Sequence, residues 1–439
     1  MITSGIWAGK RYGVYGLARS GAATVDALLA SGAGVVAWDE DTSRVEQFRS
    51  SRVETRGAEQ SAERPSFSLG TNGFEAADLS SFNLSTLDAL VVSPGVPLNT
   101  HPLAARAKAA GVPVIGDIEL FSQARAGLPP HKVVGITGTN GKSTTTALVH
   151  HILKAAGVPT TMGGNIGLPI LAQEPLPAGG VYVLELSSFQ IDLTRTLACD
   201  VAVLLNITPD HLDRYPDFEA YAASKRRLLA MQGPDGIAVS GEELGGEETL
   251  ELDTEPLGAR QARWPALGGP HNLQNAAAAI AVAAALGVAP EVAEAGLRSF
   301  PGLPHRLELV ATRGGVRFVN DSKATNAEAA APALAAFEGV HWIVGGQAKG
   351  ADLSACEPYL PHVRAAYAIG EAGPLFSDLL GPRVPVVNCE ELTRAVSEAA
   401  AAAKPGETVL LSPACASFDQ FRDFEHRGER FRELVGALP

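Results

Sequence analysis

The chain is poor in the features that would place it outside the cell or in a membrane. It has 4 cysteines in 439 residues, at Cys199, Cys356, Cys389 and Cys415, with no Cys-x-x-Cys pair. That scatter fits buried thiols in a reducing cytoplasm rather than a disulfide framework or a zinc site. Long hydrophobic runs are missing too. Even the alanine-rich stretch 276–285 falls short of the roughly 18–20 apolar residues a membrane span needs. Residues 1–10 lack a basic stretch followed by an apolar one, so no secretory signal is expected. Positive charge is in deficit: the formal net charge of −13 argues against nucleic acid as a partner. A small phosphorylated ligand in a local basic pocket is still compatible with it.

What the chain does have is layered α/β order. A hydrophobic content of 46% over 439 residues is enough for two or three cores. Short apolar runs alternate with stretches of helical period, the signature of mainly parallel sheets covered by helices. Strands are expected near 11–15, 35–38, 90–93 and 113–115, with helices near 20–30 and 102–110. Gly127-Leu128-Pro129-Pro130 reads as a linker. A second set starts at Val133, runs through 181–186 and 201–205, and closes with helices over 272–286 and 291–299. Phe300-Pro301-Gly302-Leu303-Pro304 is a second break, followed by strands near 316–320, 342–344, 366–369, 384–387 and 408–411. The acidic, glycine-rich segment 241–269 is expected to hold loops or a β-hairpin. Three α/β domains follow: 1–128 and 304–439 Rossmann-like, and 129–303 a central mononucleotide-binding domain with a P-loop.

The stretch Gly135-Ile136-Thr137-Gly138-Thr139-Asn140-Gly141-Lys142-Ser143-Thr144 carries the most information. It follows an apolar run and opens into a helix expected over 143–156. Backbone N–H groups and the helix dipole of such a turn face a polyphosphate, Lys142 reaches the outer phosphates, and Ser143 or Thr144 can hold Mg²⁺. The usual P-loop pattern has glycine where Ile136 stands, so this is a variant loop that reads as an ATP site.

In the first segment Gly13, Gly16 and Gly21 follow a strand, and Asp39 closes the next. The spacing departs from G-x-G-x-x-G, so the dinucleotide fingerprint fails and a nicotinamide oxidoreductase is disfavoured. The turn, with Ser20 at the helix start, can hold one diphosphate or be a tight βα connection alone.

Polar residues gather at other strand ends, where open α/β sheets bind ligands. Glu185 is a candidate on Mg²⁺ or a solvated strand-end acid. His211, in Asp210-His211-Leu212-Asp213-Arg214-Tyr215, can bind metal, position a substrate, or do neither. The run Lys225-Arg226-Arg227 reads by composition as a solvated helix face. Gly163-Gly164-Asn165-Ile166-Gly167 can present Asn165, and Asn272 and Asn275 sit one helical turn apart as caps or base contacts. In the last segment, 320–326 and 345–349 place Lys323 and Lys349 after strands, where lysines suit an anionic substrate.

Taken together and in order, these residues resemble the Mur ligases, ATP-dependent amide-forming enzymes of peptidoglycan precursor synthesis, and most closely their D-glutamate-adding type. The landmarks are Ser93-Pro94-Gly95, the segment 116–121, the phosphate loop, 163–167, 184–190, 210–215, 302–306, 320–326 and 411–421. The resemblance implies a first domain that binds the UDP part of UDP-MurNAc-L-Ala through Gly16, Ser20, Ser93, Pro94 and Gly95, with Asn165 and His211 beside the muramoyl-alanine end. It implies ATP on residues 138–144 (Gly138, Thr139, Asn140, Gly141, Lys142, Ser143, Thr144), with Asn272, Asn275, Arg306 and Asp321 holding adenine, phosphates and ribose. D-glutamate would meet Lys323, Thr325, Lys349, Ser417, Phe418 and Phe424. Two Mg²⁺ ions would be held by Ser143, Glu185, His211 and Lys225, the last as a carbamate made from CO₂. Lys142, Lys225, His211 and Lys323 would carry the catalysis.

Arg226 and Arg227 are expected to lower the pKa of Lys225, as a carbamate requires. Family members commonly place an arginine soon after the acid of the second strand. Here the stretch reads Asp39-Glu40-Asp41, so the first-domain nucleotide contacts do not carry over there. Because an acyl phosphate hydrolyses in water, closure of the third domain on its ligands is expected. A cytoplasmic monomer is expected as well. A folate-type glutamate ligase and a non-catalytic ATP switch are the rival readings; the joint presence of Lys225, His211, Lys323 and Lys349 argues against the switch.

Overall fold

A computed structural model describes residues 1–53, 73–211, 213–242, 249–348 and 352–438. The chain folds as two compact units, Met1–Trp264 with Pro270–Ser299, and Pro265–Gly269 with Phe300–Pro439.

The first unit contains two sheets. One is built from β1 (Arg11–Tyr15), β2 (Gly34–Trp38), β3 (Phe74–Ala76), β4 (Ala89–Val92) and β5 (Val114–Ile115), in the order β3-β2-β1-β4-β5. All its pairings are parallel, which requires helical crossovers such as Arg19–Ala30 and Pro102–Ala109. The order reverses between β1 and β4, and this switch point opens a crevice at the carboxyl ends of the strands.

The other sheet has β6 (His131–Thr137), β7 (Thr160–Gly164), β8 (Gly180–Glu185), β9 (Val201–Leu204), β10 (Ile237–Ser240) and β11 (Thr249–Glu251), in the order β11-β10-β9-β6-β8-β7. Its inner strands are buried along nearly their whole length, as in a sheet covered on both faces. Residues expected as domains 1–128 and 129–303 each build a sheet of their own within this unit. A continuous apolar cluster runs from Val14, Val35 and Val91 through Ile118 and Phe121 to Tyr182 and Leu184. The helix Asp117–Ala124 joins the two layers: buried Glu119 accepts the backbone N–H groups of Arg195 (2.7 Å) and Thr196 (2.9 Å).

The second unit carries β12 (Glu308–Arg313), β13 (Val316–Asn320), β14 (Val340–Gly345), β15 (Val363–Ile369), β16 (Val386–Glu390) and β17 (Thr408–Leu411), in the order β12-β13-β17-β14-β15-β16. Only β12 runs antiparallel, joined to β13 by Gly314 and Gly315, both at positive φ. Buried Trp342, Val344, Leu410 and Phe376 fill one face, and Phe318, Ile343, Val409 and Phe431 the other.

Sequence reading and structure part in several places: β3, β7, β10 and β12 stand where no strand was expected, and the segment 241–269 differs as well. The β-hairpin considered for 241–269 is replaced by β11, which pairs in parallel with β10, and by a 3-10 helix over Glu255–Arg263. Residues 243–248 lie outside the described set. Among the described residues no helix is long and apolar enough to cross a membrane.

Candidate active site

The variant phosphate loop follows β6 at the middle of its sheet. Gly141 has φ +85°, and a Cβ there would lie 2.2 Å from Asn275 Oδ1, so a side chain is excluded twice over. The loop is held from behind. Thr139 N–H donates to Asn206 O (2.8 Å) and Asn140 N–H to Asn206 Oδ1 (2.9 Å). Asn206 in turn donates to Gln274 Oε1 (3.0 Å). The helix Lys142–Ala155 then presents Lys142, Ser143 and Thr144, all half-buried, in its first turn, where helical N–H groups lack intrahelical acceptors.

Two lysines converge on this loop. Lys142 Nζ donates to Gly138 O (2.9 Å) and Thr139 O (2.7 Å), and Lys225 Nζ donates to the same Gly138 O (2.8 Å). Lys225 is 2% exposed, although its composition reads as a solvated face. Burial, with the Lys142 charge nearby, lowers its pKa from 10.5 to about 7. The role expected for its neighbours is corrected here. Arg226 pairs with Glu219 (2.8 Å), and Arg227 donates to Thr194 O (2.9 Å), so desolvation tunes the amine and the adjacent arginines do not.

The Lys225 ammonium lies 4.7 Å from the Tyr221 ring centroid, and Tyr221 Oη meets Thr139 Oγ1 at 3.1 Å. His211 stands against Phe189, ring centroids 4.9 Å apart, with φ +54°. Burial, with Lys225 and Lys142 as secondary causes, holds its pKa below the usual value, favouring the neutral imidazole that a metal or substrate can use.

Glu185 ends β8 and is 2% exposed. Asn165 Nδ2 donates to its Oε1 (2.9 Å), while Oε2 is buried with no hydrogen-bond partner among the described residues. An orphaned buried carboxylate oxygen beside a phosphate loop suits a divalent cation. Among the described residues no three His, Cys, Asp or Glu side chains cluster as a metal site. Asn272 and Asn275 are both buried: Asn275 donates to Asn272 Oδ1 (3.0 Å) and accepts from Thr145 Oγ1 (3.2 Å).

At the first sheet's switch point Ser93 Oγ donates to Gly16 O (3.0 Å), and Gly16 has φ +94°. Ser20 opens into a small cavity with Gly21, Ser93, Pro94 and Asp117. Gly95 belongs to a loop clamped by Arg214, whose Nη2 donates to Val96 O (2.8 Å) while its guanidinium covers the Phe189 ring at 4.2 Å.

The second unit assembles its own cluster at the ends of β13, β14 and β17. Lys323 is exposed, with its Nζ 3.9 Å from the Phe424 ring centroid; Thr325 is half-buried, Ser417 buried and Phe418 68% exposed. Asp321 is buried: Oδ1 accepts from Leu307 N–H (3.1 Å) and Oδ2 from Ser412 Oγ (2.8 Å). Burial pushes its carboxyl up to about 7, with Arg306 opposing the shift. Arg306 itself is carried between His305 and Leu307, both in left-handed backbone. Lys349 lies outside the described residues.

Sequence reasoning missed the side chain that ties this cluster together. Arg427, fully buried, donates through Nε to Ser322 Oγ (2.9 Å) and through Nη2 to Ser322 O (2.9 Å) and Cys415 O (3.0 Å). It thereby fixes the Lys323 and Ser417 segments to each other. Its only trace in the sequence is an arginine on the otherwise amphipathic helix Phe424–Gly436. Glu119 and Arg214 were visible as landmarks, but their bracing contacts span long stretches of chain.

Fold and site together define a three-sheet α/β scaffold with a variant phosphate loop at the middle of its second sheet. The Mur ligase middle domain matches residues 136–245, and the Mur ligase glutamate ligase domain matches 305–415. Among solved structures, the chain is similar to the UDP-N-acetylmuramate-alanine ligase of Thermotoga maritima (17% identity, 98% of this chain and 99% of that one, TM-score 0.57). It is similar also to the MurF ligase of the same organism in complex with ADP (16%, 97% and 94%, TM-score 0.55). These likenesses concern fold. Much nearer in sequence are the UDP-N-acetylmuramoylalanine–D-glutamate ligases of Novosphingobium aromaticivorans (57% identical, 100% of this chain and 97% of the relative) and Zymomonas mobilis (52%, 100% of both). The chain belongs to the Mur ligase family, in its UDP-N-acetylmuramoylalanine–D-glutamate ligase branch.

Proposed function

We propose that the protein joins D-glutamate to the L-alanine carboxylate of UDP-MurNAc-L-Ala at the expense of ATP, in peptidoglycan precursor synthesis. The observation that carries this reading is the meeting of Lys142 and Lys225 on one loop carbonyl, in a strand–glycine–helix turn of a chain from this family. The MurF fold neighbour, in complex with ADP, supports a nucleotide on this scaffold.

A carboxylate is a poor electrophile, so the ligation has two steps. A carboxylate oxygen attacks the γ-phosphorus of ATP; the bond to the bridging oxygen breaks, ADP leaves and an acyl phosphate forms. The D-glutamate amine then adds to the acyl carbon, the carbon–oxygen bond breaks, phosphate leaves and a proton is lost. Residues 138–144 cradle the phosphates through backbone N–H groups, and Lys142 neutralises charge that develops in transfer. Asn272, Asn275, Arg306 and Asp321 serve the nucleotide. Gly16, Ser20, Ser93, Pro94, Gly95, Asn165 and His211 serve the sugar-nucleotide. Lys323, Thr325, Lys349, Ser417, Phe418 and Phe424 serve D-glutamate.

Mg²⁺, when bound, spreads the phosphate charge; Ser143, Glu185 and His211 would hold it, with Lys225 as a carbamate serving a second ion. An amine with a pKa near 7 suits that chemistry. Its neutral nitrogen attacks CO₂, a nitrogen–carbon bond forms, a proton leaves, and the cation becomes an anion. The reading takes the protein as a cytoplasmic monomer.

The test is phosphate release from ATP with UDP-MurNAc-L-Ala and D-glutamate, set against L-glutamate and L-lysine. Release dependent on D-glutamate is expected. Equal release with all three amino acids, or none with any, refutes the assignment.

A further inference from the structure

We infer that Arg214 is a positioning residue that holds the nucleotide end and the reacting end of the acceptor in register; this rests on the reading above that the acceptor runs from the 93–95 loop to His211. The two loops belong to different sheets. Residues 93–96 follow β4 of the first sheet, and residues 210–215 follow β9 of the second. Both lie within the same compact unit. An acceptor laid across them is only as well aligned as the joint between them.

Arg214 makes that joint. Its Nη2 donates to Val96 O (2.8 Å) and stands 3.5 Å from Pro94 O, while Nη1 stands 3.4 Å from Gly95 O. Three successive carbonyls are thus gathered on one planar fork. A second link runs alongside, from Asn99 Nδ2 to Asp213 O (3.0 Å). The acid nearest in sequence on the other side, Asp210, is engaged elsewhere: it accepts His211 N–H (2.8 Å) and faces His211 Nε2 at 3.6 Å.

The other end of the joint is fastened to His211. Arg214 N–H donates to His211 O (2.9 Å), closing the turn in which His211 takes φ +54°. The guanidinium covers the Phe189 ring at 4.2 Å; Phe189 packs on His211, centroids 4.9 Å apart, and stacks on Tyr215 at 6.0 Å and 13°. His211 in turn meets Tyr221 edge-on at 6.1 Å, the ring that the Lys225 ammonium faces. A guanidinium is the side-chain group that can bind carbonyls at its edge and an aromatic ring at its face together. Bracing the 93–96 loop alone needs only the carbonyls. The contact with Phe189 brings His211 into the joint.

The experiment measures UDP and UDP-MurNAc-L-Ala binding by calorimetry, with Mg²⁺ and a non-hydrolysable ATP analogue present, and acceptor kinetics alongside. The proteins are the wild type, Arg214→Ala, Arg214→Lys and Asn99→Ala. UDP reaches only the first-sheet loop, whereas the whole acceptor also reaches His211, so the ratio of the two affinities reads the alignment. Arg214→Ala should cut that ratio about tenfold and kcat about 10–100-fold, the scale of a misplaced reacting group, with UDP affinity moving less than about threefold. Arg214→Lys should resemble Arg214→Ala, because one ammonium cannot span the carbonyls and cover the ring. Asn99→Ala, at an exposed position, should lower the ratio about two- to threefold, as for one hydrogen bond. A ratio unchanged in Arg214→Ala overturns the proposal; if both affinities fall together, Arg214 only braces the nucleotide loop. Full recovery in Arg214→Lys overturns it too, leaving charge as the sole requirement. Failure of the functional reading looks different: the wild type itself would bind neither ligand, or bind the acceptor no more tightly than UDP.

Discussion

Two glycine turns in the first unit use one backbone device and opposite side-chain chemistry. Both follow a parallel strand near the middle of its sheet, and both put a glycine at positive φ before a helix: Gly16 at +94° and Gly141 at +85°. The second-sheet turn draws in two lysines and has an unsatisfied acid nearby, a combination suited to charge that changes during a reaction. The first-sheet turn also has a buried acid with an unpartnered oxygen beside it, Asp117, but Asp39 and Glu40 on its rim are bound to their own neighbours and its helix begins with a single arginine. Such a surface suits an anion that is held and left intact. In the proposed function the backbone turn offers anion binding in both places, and the side chains decide whether chemistry follows.

Substitutions can break this contrast. The largest effect is expected at Lys225→Ala, which should reduce ligation by about 10³-fold or more, the scale for removing a group that stabilises transferring charge. A small carboxylate such as acetate should restore part of the rate; full activity of the unsupplemented variant would dismiss the carbamate.

Next come the two glycines. In Gly141→Ala the new Cβ would lie 2.2 Å from Asn275 Oδ1 and adopt an unfavourable φ, with a local cost of about 1–3 kcal/mol. ATP KM should rise roughly tenfold or more by the same scale. Gly16→Ala, whose Cβ would lie 2.7 Å from Ser93 Oγ, should raise the acceptor KM with little change for ATP. If either variant shifted both KM values together, the two turns would not be separate sites.

The contrast also has a pH signature. The pKa of Lys225 is depressed from 10.5 to about 7, so its reactive neutral form accumulates as pH rises through about 7. The ¹³C NMR carbamate signal from labelled bicarbonate should therefore grow between pH 6 and 8 and vanish in Lys225→Ala. A signal that kept rising well above pH 8 would point to an amine with an ordinary lysine pKa. The smallest effect belongs to Arg226→Ala. Its exposed pair with Glu219 should contribute less than about 1 kcal/mol, and steady-state rates should move less than about twofold.

How much of this was legible in the sequence depends on distance along the chain. The phosphate loop, the 163–167 loop and the strand-end polar clusters are local patterns, and glycine spacing with apolar runs exposes them. Lys225 is local too, but its burial is not. A Lys-Arg-Arg run looks solvated until Tyr221 and the Gly138 carbonyl close over the first residue, while its neighbours turn outward to Glu219 and Thr194. Arg427 and Glu119 act through partners that no periodicity brings together. The strand β11 was missed because three residues of an acidic, glycine-rich segment carry no pattern, and parallel pairing with β10 is a tertiary matter.

The four cysteines have a practical bearing. All are buried, and burial pushes Cys199, Cys356 and Cys415 up to about 12, so little thiolate is available to an alkylating or oxidising reagent. The native chain is thus a quiet background for fluorophores or spin labels: a cysteine introduced on the surface, near Arg19 or Lys323, can be tagged selectively without first stripping out the natural ones.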